Sequence, residues 1–168
     1  MQLRPVTAAD QAWLRALYAS TREQELGLSG WDAAGREAFV EMQFRAQHLA
    51  YQARHPAALQ HIIECNGQAA GRLWTDDGAL SIRLLDISLL PGWQRLGLGT
   101  RCLRALLERA GRQRKALRLH VASVNPARRL YERLGLVVTG EQGPYLEMAW
   151  QPLPCPDSDP LEICDEQA

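Results

Sequence analysis

The stretch Leu84–Thr100, LLDISLLPGWQRLGLGT, constrains the fold of this chain more than any other. Leu84 to Leu90 is a short apolar run with strand character. Pro91 and Gly92 stop it, because proline cannot donate to a ladder and glycine permits a turn. Gln94-Arg95-Leu96-Gly97-Leu98-Gly99 follows, and then Cys102, Leu103, Leu106, Leu107 and Ala110 recur at helical spacing. The order is strand, glycine-rich turn, helix. Such an arrangement offers free backbone N–H groups at a helix N-terminus, where the dipole favours an anion. Gly97 and Gly99 carry no Cβ, so a phosphate can approach the backbone. The stretch reads as a pyrophosphate cradle; its bland alternative is an ordinary turn before a helix.

Two familiar phosphate loops do not fit. A dinucleotide fingerprint G-x-G-x-x-G would need a third glycine where Cys102 stands, and a P-loop would need Gly-Lys-Ser/Thr after a longer gap. The stretch resembles instead the signature Q/R-x-x-G-x-G/A of the GCN5-related N-acetyltransferases (GNAT), with Gln94, Gly97 and Gly99 at its fixed positions. A second stretch, Asn125-Pro126-Ala127-Arg128-Arg129-Leu130-Tyr131-Glu132-Arg133-Leu134-Gly135-Leu136, is similar to the family's other signature. There an Asn follows a strand, and a short helix carries a Tyr within LYExxGF. Leu136 stands where the family has Phe. The signatures occur in the family's order, with one helix and one strand between them, and the resemblance covers residues 2 to 151. It implies an α/β fold of α+β type: a central mixed, mostly antiparallel sheet of about seven strands, the fourth and fifth splayed, with about four flanking helices.

Composition agrees with one globular domain. The chain has 168 residues, 46% hydrophobic and 23% charged. Its 19 basic and 19 acidic residues cancel, which removes the basic bias expected of a nucleic-acid binder. No apolar run approaches a bilayer span, and the N-terminus lacks the apolar core of an export signal, so no membrane and a cytoplasmic location are expected. Cys65, Cys102, Cys155 and Cys164 show no C-x-x-C spacing and read as reduced thiols, with no metal site.

Taken in order, Gln2 to Val6 suits a first strand. Thr7 to Asp10 resembles a capping box before a helix to about Arg22 that buries Trp13, Leu14, Leu17 and Tyr18. Glu25 to Trp31 reads as a loop. Asp32 is placed to cap a helix towards Arg54, with Phe39, Met42, Phe44, Leu49 and Tyr51 as its apolar positions. Gln60–Glu64, Asn66-Gly67 and Ala69–Thr75 make a hairpin, Asp76-Asp77-Gly78 turns again, and Leu80–Leu90 returns. A helix from Thr100 to Arg114 crosses to a parallel strand, Leu117–Ser123. A short helix Pro126–Leu134 and a hairpin of Val137–Glu141 with Tyr145–Gln151 close the sheet. Residues 1–151 are read as the GNAT domain. The tail 152–168, with four prolines and a run of acids, is expected to be disordered or loosely packed.

The resemblance implies acetyl transfer from acetyl-CoA, as co-substrate, to an amine. Backbone amides of Arg95, Leu96, Gly97, Leu98, Gly99 and Thr100, with Gln94, would hold the pyrophosphate. The splayed strand would offer Ile87, Ser88 and Leu89 to the pantetheine arm, with an amide near Leu89 facing the thioester oxygen. Asn125 would touch the same arm, and it also reads as a helix cap. Tyr131 is the expected general acid for the departing thiolate; its plain alternative is a core aromatic. The acceptor must be deprotonated, since a free alkylamine has a pKa near ~10.4. His120 is the first choice of base, on the fifth strand beside Arg118 and opposite Leu117, Leu119 and Val121. LHVASVNPARRLYE resembles ribosomal-protein N-terminal acetyltransferases, in which a glutamate base holds the matching position, although the loop here is one residue shorter. Asp86 is the rival base, and many GNATs use ordered water. Trp31, Met42, Phe44 and Tyr145 are candidates for an acceptor pocket, each more often core than pocket.

The leading reading is therefore an N-acetyltransferase that acts on a primary amine of a small molecule by direct attack. A protein N-terminus is the rival acceptor, and a non-catalytic CoA-binding module the rival class. An unrelated nucleotide-binding domain would respond to nucleotides and not to CoA. A homodimer is compatible with the resemblance, although no segment specifies one.

Overall fold

The computed structural model describes residues 1–22 and 32–153. The expected loop at 25–31 and nearly all of the acidic tail lie outside them. In chain order the elements are β1 (Gln2–Pro5), a 3-10 turn (Ala8–Asp10), α1 (Gln11–Thr21), α2 (Ala33–Arg54), β2 (Leu59–Cys65), β3 (Gln68–Asp77) and β4 (Ser81–Leu89). A second 3-10 turn (Pro91–Trp93), α3 (Leu98–Arg112), β5 (Ala116–Ala122), α4 (Arg128–Arg133), β6 (Val137–Gln142) and β7 (Tyr145–Trp150) follow. The strands form one seven-stranded sheet in the order β1-β2-β3-β4-β5-β7-β6. Only β4 and β5 pair in parallel, so the mixed, mostly antiparallel sheet read from the sequence is the one observed.

The β4–β5 ladder is short. It runs from Ser81 opposite Ala116 to Leu84 opposite Leu119 and stops. Beyond that point β4 stays paired with β3 as far as Leu89, and β5 stays paired with β7 as far as Ala122. The two strands therefore part in the middle of the sheet. The cause lies in β4: Thr75 faces Leu84 and Trp74 faces Asp86, so Leu85 is an extra, bulged residue. A bulge bends its strand and raises the local twist. It also resets the alternation of side chains. Leu84, Ile87 and Leu89 all reach the core beneath α3, while Asp86, opposite Trp74, and Ser88, opposite Arg72, take the other face. Without the extra residue, Asp86 would follow Leu84 into that apolar core. The Tyr51 hydroxyl of α2 donates to the bulged Leu85 carbonyl at 3.1 Å.

One face of the sheet carries α3 and α4 over Leu73, Leu84, Leu117, Leu119, Val121, Leu146 and Met148. The other face carries α1 and α2, which bury Leu14, Tyr18, Val40 and Phe44 against Ile62. The caps expected at Thr7 and Asp32 are present. Thr7 N–H and Oγ1 donate to Asp10 Oδ2 at 2.8 Å each, and Gly35 N–H donates to Asp32 Oδ1 at 2.7 Å. Asn66 and Gly67 take positive φ, 52° and 74°, as the two-residue hairpin requires.

Four expectations need correction. Met42 and Leu49 are 56% and 62% exposed, because α2 seats only the stripe through Val40, Phe44 and Tyr51 on the sheet. Trp13 is half-buried, at the edge of the α1 contact. Asp76 and Asp77 pair with Arg83 and Ile82, so the turn begins only at Gly78. Helix α3 begins at Leu98, and Leu98 is buried within it.

Gly71 of β3 lies behind the lip of the splay, opposite Leu89. A Cβ there would stand 2.3 Å from the Ser88 carbonyl oxygen and 2.6 Å from Leu89 Cδ2. Gly71→Ala therefore forces β3 and β4 apart. Thermal unfolding of that variant should show a loss of about 1–3 kcal/mol, the usual cost of overpacking. Unchanged stability would mean that the strands do not approach this closely.

Candidate active site

The segment between β4 and α3 is built as an open cradle. The Trp93 and Gln94 amides close a tight turn on Leu90 O and Pro91 O, at 2.9 and 3.2 Å. Arg95 and Gly97 then take left-handed conformations, with φ 60° and 81°. Gly97 is the cap residue of α3, and no side chain caps that end. The first bond within the helix runs from Arg101 N–H to Gly97 O at 3.0 Å. The amides of Leu98, Gly99 and Thr100 precede it and fall in the turn that has no intrahelical acceptor. Gln94, Arg95, Leu96 and Gly97 are exposed, whereas Leu98 is buried in the core beneath α3. The exposed Gln94 side chain donates from Nε2 to Leu89 O at 2.9 Å and ties the cradle to the end of β4.

Gly99 marks where three elements meet. A Cβ on it would lie 3.8 Å from Leu130 Cδ2 of α4 and 3.9 Å from Leu89 Cδ1 of β4. The uncapped helix end, the lip of β4 and the helix that carries Tyr131 are thus adjacent. Leu90 N–H donates to Ala70 O of β3 at 2.9 Å. Amides alternate along a strand, so those of Ile87 and Leu89 turn to the side where β5 has parted.

Tyr131 is 7% exposed, among Leu119, Val121 and Cys102. Its phenol is pushed up to about 12, first by burial and then by the Asp86 carboxylate. The hydroxyl has no hydrogen bond to a described residue, and it keeps its proton at any neutral pH. Asn125 is exposed, and its Oδ1 accepts from Ala127 N–H at 2.9 Å; this is a turn before the helix and not its cap, because α4 starts only at Arg128 with Ala127 as the cap residue.

On the opposite face Asp86 belongs to a polar cluster. Arg72, 3% exposed, directs Nε onto Asp86 Oδ2 at 2.9 Å and Nη2 onto Gln47 Oε1 at 3.1 Å. Ser88 Oγ also donates to Asp86 Oδ2, at 2.9 Å. His120 shares this face. It is exposed and stands opposite Glu147 in the β5–β7 ladder. Arg118 pairs with Glu147 at 3.2 Å, and the alternation with Leu117, Leu119 and Val121 is as expected. Asp86 and His120 both follow the last β4–β5 pair, one on each strand.

Of the four residues expected to line an acceptor pocket, the three described ones, Met42, Phe44 and Tyr145, do not come together. Trp31 lies outside the described residues. Phe44 is in the core edge-on to Tyr18, with ring centroids 5.8 Å apart, while Met42 and Tyr145 are exposed. A cleft of about 430 Å³ opens between α1 and α2, lined by Ala12, Arg15, Phe44 and His48 among others. None of the expected catalytic or cofactor residues borders it.

A sequence model of the Acetyltransferase (GNAT) family matches residues 12–136. The chain belongs to the GNAT acetyltransferase family. Among curated proteins, none matches the sequence closely enough to count as a relative. Solved structures share the fold at low identity. PaiA N-acetyltransferase from Thermoplasma acidophilum, in complex with coenzyme A, superposes with a TM-score of 0.67 at 16% identity, over 89% of this chain and 98% of that one. Ard1 from Thermoplasma volcanium gives 0.57 at 17% identity, over 91% and 98%. Aminoglycoside 6'-acetyltransferase type Ii gives 0.55 at 16% identity, over 93% and 100%. As a GNAT protein the chain is an acyltransferase, of a family that uses acetyl-CoA and acts on amine acceptors. Among the described residues, no helix is long and apolar enough to cross a membrane.

Sequence reading missed Gly71, Gln47, Arg72 and the contact of Tyr51 with the bulge. Arg72 had one visible signal, a lone charge inside the apolar run AAGRLWT. A buried arginine needs a carboxylate partner. Nothing local pointed to Gln47 or Gly71.

Gly97 has open space around it, so Gly97→Ala meets no clash and feels only the left-handed backbone. We expect a stability loss of about 1–2 kcal/mol in thermal unfolding. A larger loss would mean that the residue is packed.

Proposed function

We propose that this GNAT protein transfers the acetyl group of acetyl-CoA to the primary amine of a small molecule by direct attack. The observation that carries the reading is the meeting of the uncapped α3 N-terminus, the open edge of β4 and Tyr131 around Gly99. The donor set suits the co-substrate's two demands. Amides at a helix end suit a pyrophosphate, and amides on an open strand edge suit an extended arm that carries peptide-like groups.

Bound acetyl-CoA supplies an acyl carbon activated as a thioester. The amides from Arg95 to Thr100 hold the anionic end. Ile87, Ser88 and Leu89 hold the arm, and the Leu89 N–H faces the oxygen on which negative charge develops. Asn125, beside the start of α4, touches the same arm. As the new C–N bond forms and the C–S bond breaks, Tyr131 gives its proton to the sulfur and regains one from water. The proton lost by the amine goes to Asp86. What supports Asp86 over His120 is that its charge is felt at the Tyr131 phenol, whereas His120 stands exposed beside Glu147 on β5.

The test combines thermal unfolding with thiol release. Acetyl-CoA at about 100 times its Kd should stabilise the fold by about 2.7 kcal/mol. Coenzyme A should then be released against at least one member of a panel of small amines, amino acids and peptides. Tyr131→Phe should keep the stabilisation and lose about 100-fold in kcat. Stabilisation without release across the whole panel would leave a CoA-binding module. No stabilisation at millimolar acetyl-CoA would overturn the reading.

A further inference from the structure

We propose that Arg72 is a positioning residue, which fixes the Asp86 carboxylate at the splay so that one oxygen is held and the other is left for the acceptor amine. The inference rests on the role given above to Asp86.

The geometry of the ion pair carries it. An arginine and a carboxylate that serve only to neutralise each other favour two parallel bonds, one to each oxygen. Here Nε and Nη2 of Arg72 both lie 2.9 Å from the same oxygen, Asp86 Oδ2. Ser88 Oγ donates to that oxygen too, at 2.9 Å. Oδ1 receives no donor among the described residues. Two donors, Arg72 Nε and Ser88 Oγ, with Nη2 close by, fix the carboxylate's rotamer through one oxygen and leave the lone pairs of the other unused.

Burial is one-sided in the same sense. The Arg72 side chain is 3% exposed, and that of Asp86 is 19% exposed. The cation is sealed within the fold while its partner reaches solvent at the opening. Arg72 cannot drift, because Nη2 is held by Gln47 of α2 at 3.1 Å and the guanidinium lies 5.5 Å from the centre of the Trp74 ring. The Tyr51 hydroxyl holds the bulge one residue before Asp86. Helix α2 thus sets the position of Asp86 from both sides, through Gln47 and Arg72 and through Tyr51 and Leu85. The reacting groups gain from being held before the acceptor arrives.

A double-mutant cycle in kcat tests this, with Arg72→Met, Asp86→Asn and the pair together, and the most active amine of the panel as acceptor. Asp86→Asn should lower kcat about 100-fold. Arg72→Met alone should lower kcat about 10-fold or more while KM for the amine stays within about threefold, and Arg72→Lys should recover part of the loss. In the Asp86→Asn background Arg72→Met should cost nothing further in kcat, because it has nothing left to position. It should instead raise Tm, by removing a buried guanidinium that has lost its counter-charge. Should Arg72→Met fail to fold, Arg72→Lys makes the same comparison in both backgrounds. Equal fold losses in the two backgrounds would show that Arg72 acts through the fold alone and would overturn the proposal. So would an unchanged kcat in Arg72→Met or in Asp86→Asn. Stabilisation by acetyl-CoA should be the same in every variant; its absence from the wild-type protein would overturn the acetyltransferase reading itself.

Discussion

The β4–β5 ladder ends at Leu84 and Leu119, and the site exists because it ends there. A parallel pair buried in mid-sheet ordinarily continues, since an unpaired backbone group away from water costs about as much as a lost hydrogen bond. One extra residue breaks the pair. Leu85 bulges from β4 and bends it away from β5, while the strand stays paired with β3 on either side of the bulge. The backbone groups that β5 no longer meets become the donors and acceptors on offer to an extended ligand.

The bulge also sorts the chemistry between two faces. Beneath α3 and α4 the surroundings are apolar, and Tyr131 responds with a phenol held at about 12. Such a group keeps its proton at neutral pH and is available as a donor to a sulfur on which negative charge develops. On the α2 face the surroundings are polar, and Asp86 is held by Arg72 and Ser88. The proton donor and the carboxylate thus sit on opposite sides of one opening. The carboxylate's charge still crosses it, as the second cause of the tyrosine's shift.

The parts of this arrangement that depend on backbone conformation were legible in the sequence. Gly97 and Asn66-Gly67 take the positive φ angles that their residue types favour, and Asp32 caps where it was expected to. Leu117, Leu119 and Val121 alternate in a strand with one buried face. The parts that depend on contacts between distant segments were not legible. Arg72 and Asp86 are fourteen residues apart, and Gln47 lies on a helix that no local signal orients. Met42 and Leu49 look as apolar as Phe44, and only the way α2 lies on the sheet leaves them outside. The sequence LLDIS contains the bulge, but as a break in alternation that reads equally well as a fully buried strand.

Hydrogen–deuterium exchange with and without acetyl-CoA tests the central claim most directly, because it reads the backbone groups themselves. The account predicts that acetyl-CoA slows exchange at the Ile87 and Leu89 amides and across residues 95–100. Exchange in the paired lower half of the ladder, Ile82 to Leu84, should not change. Protection confined to the cleft between α1 and α2, or none in Ile87–Thr100, would contradict it.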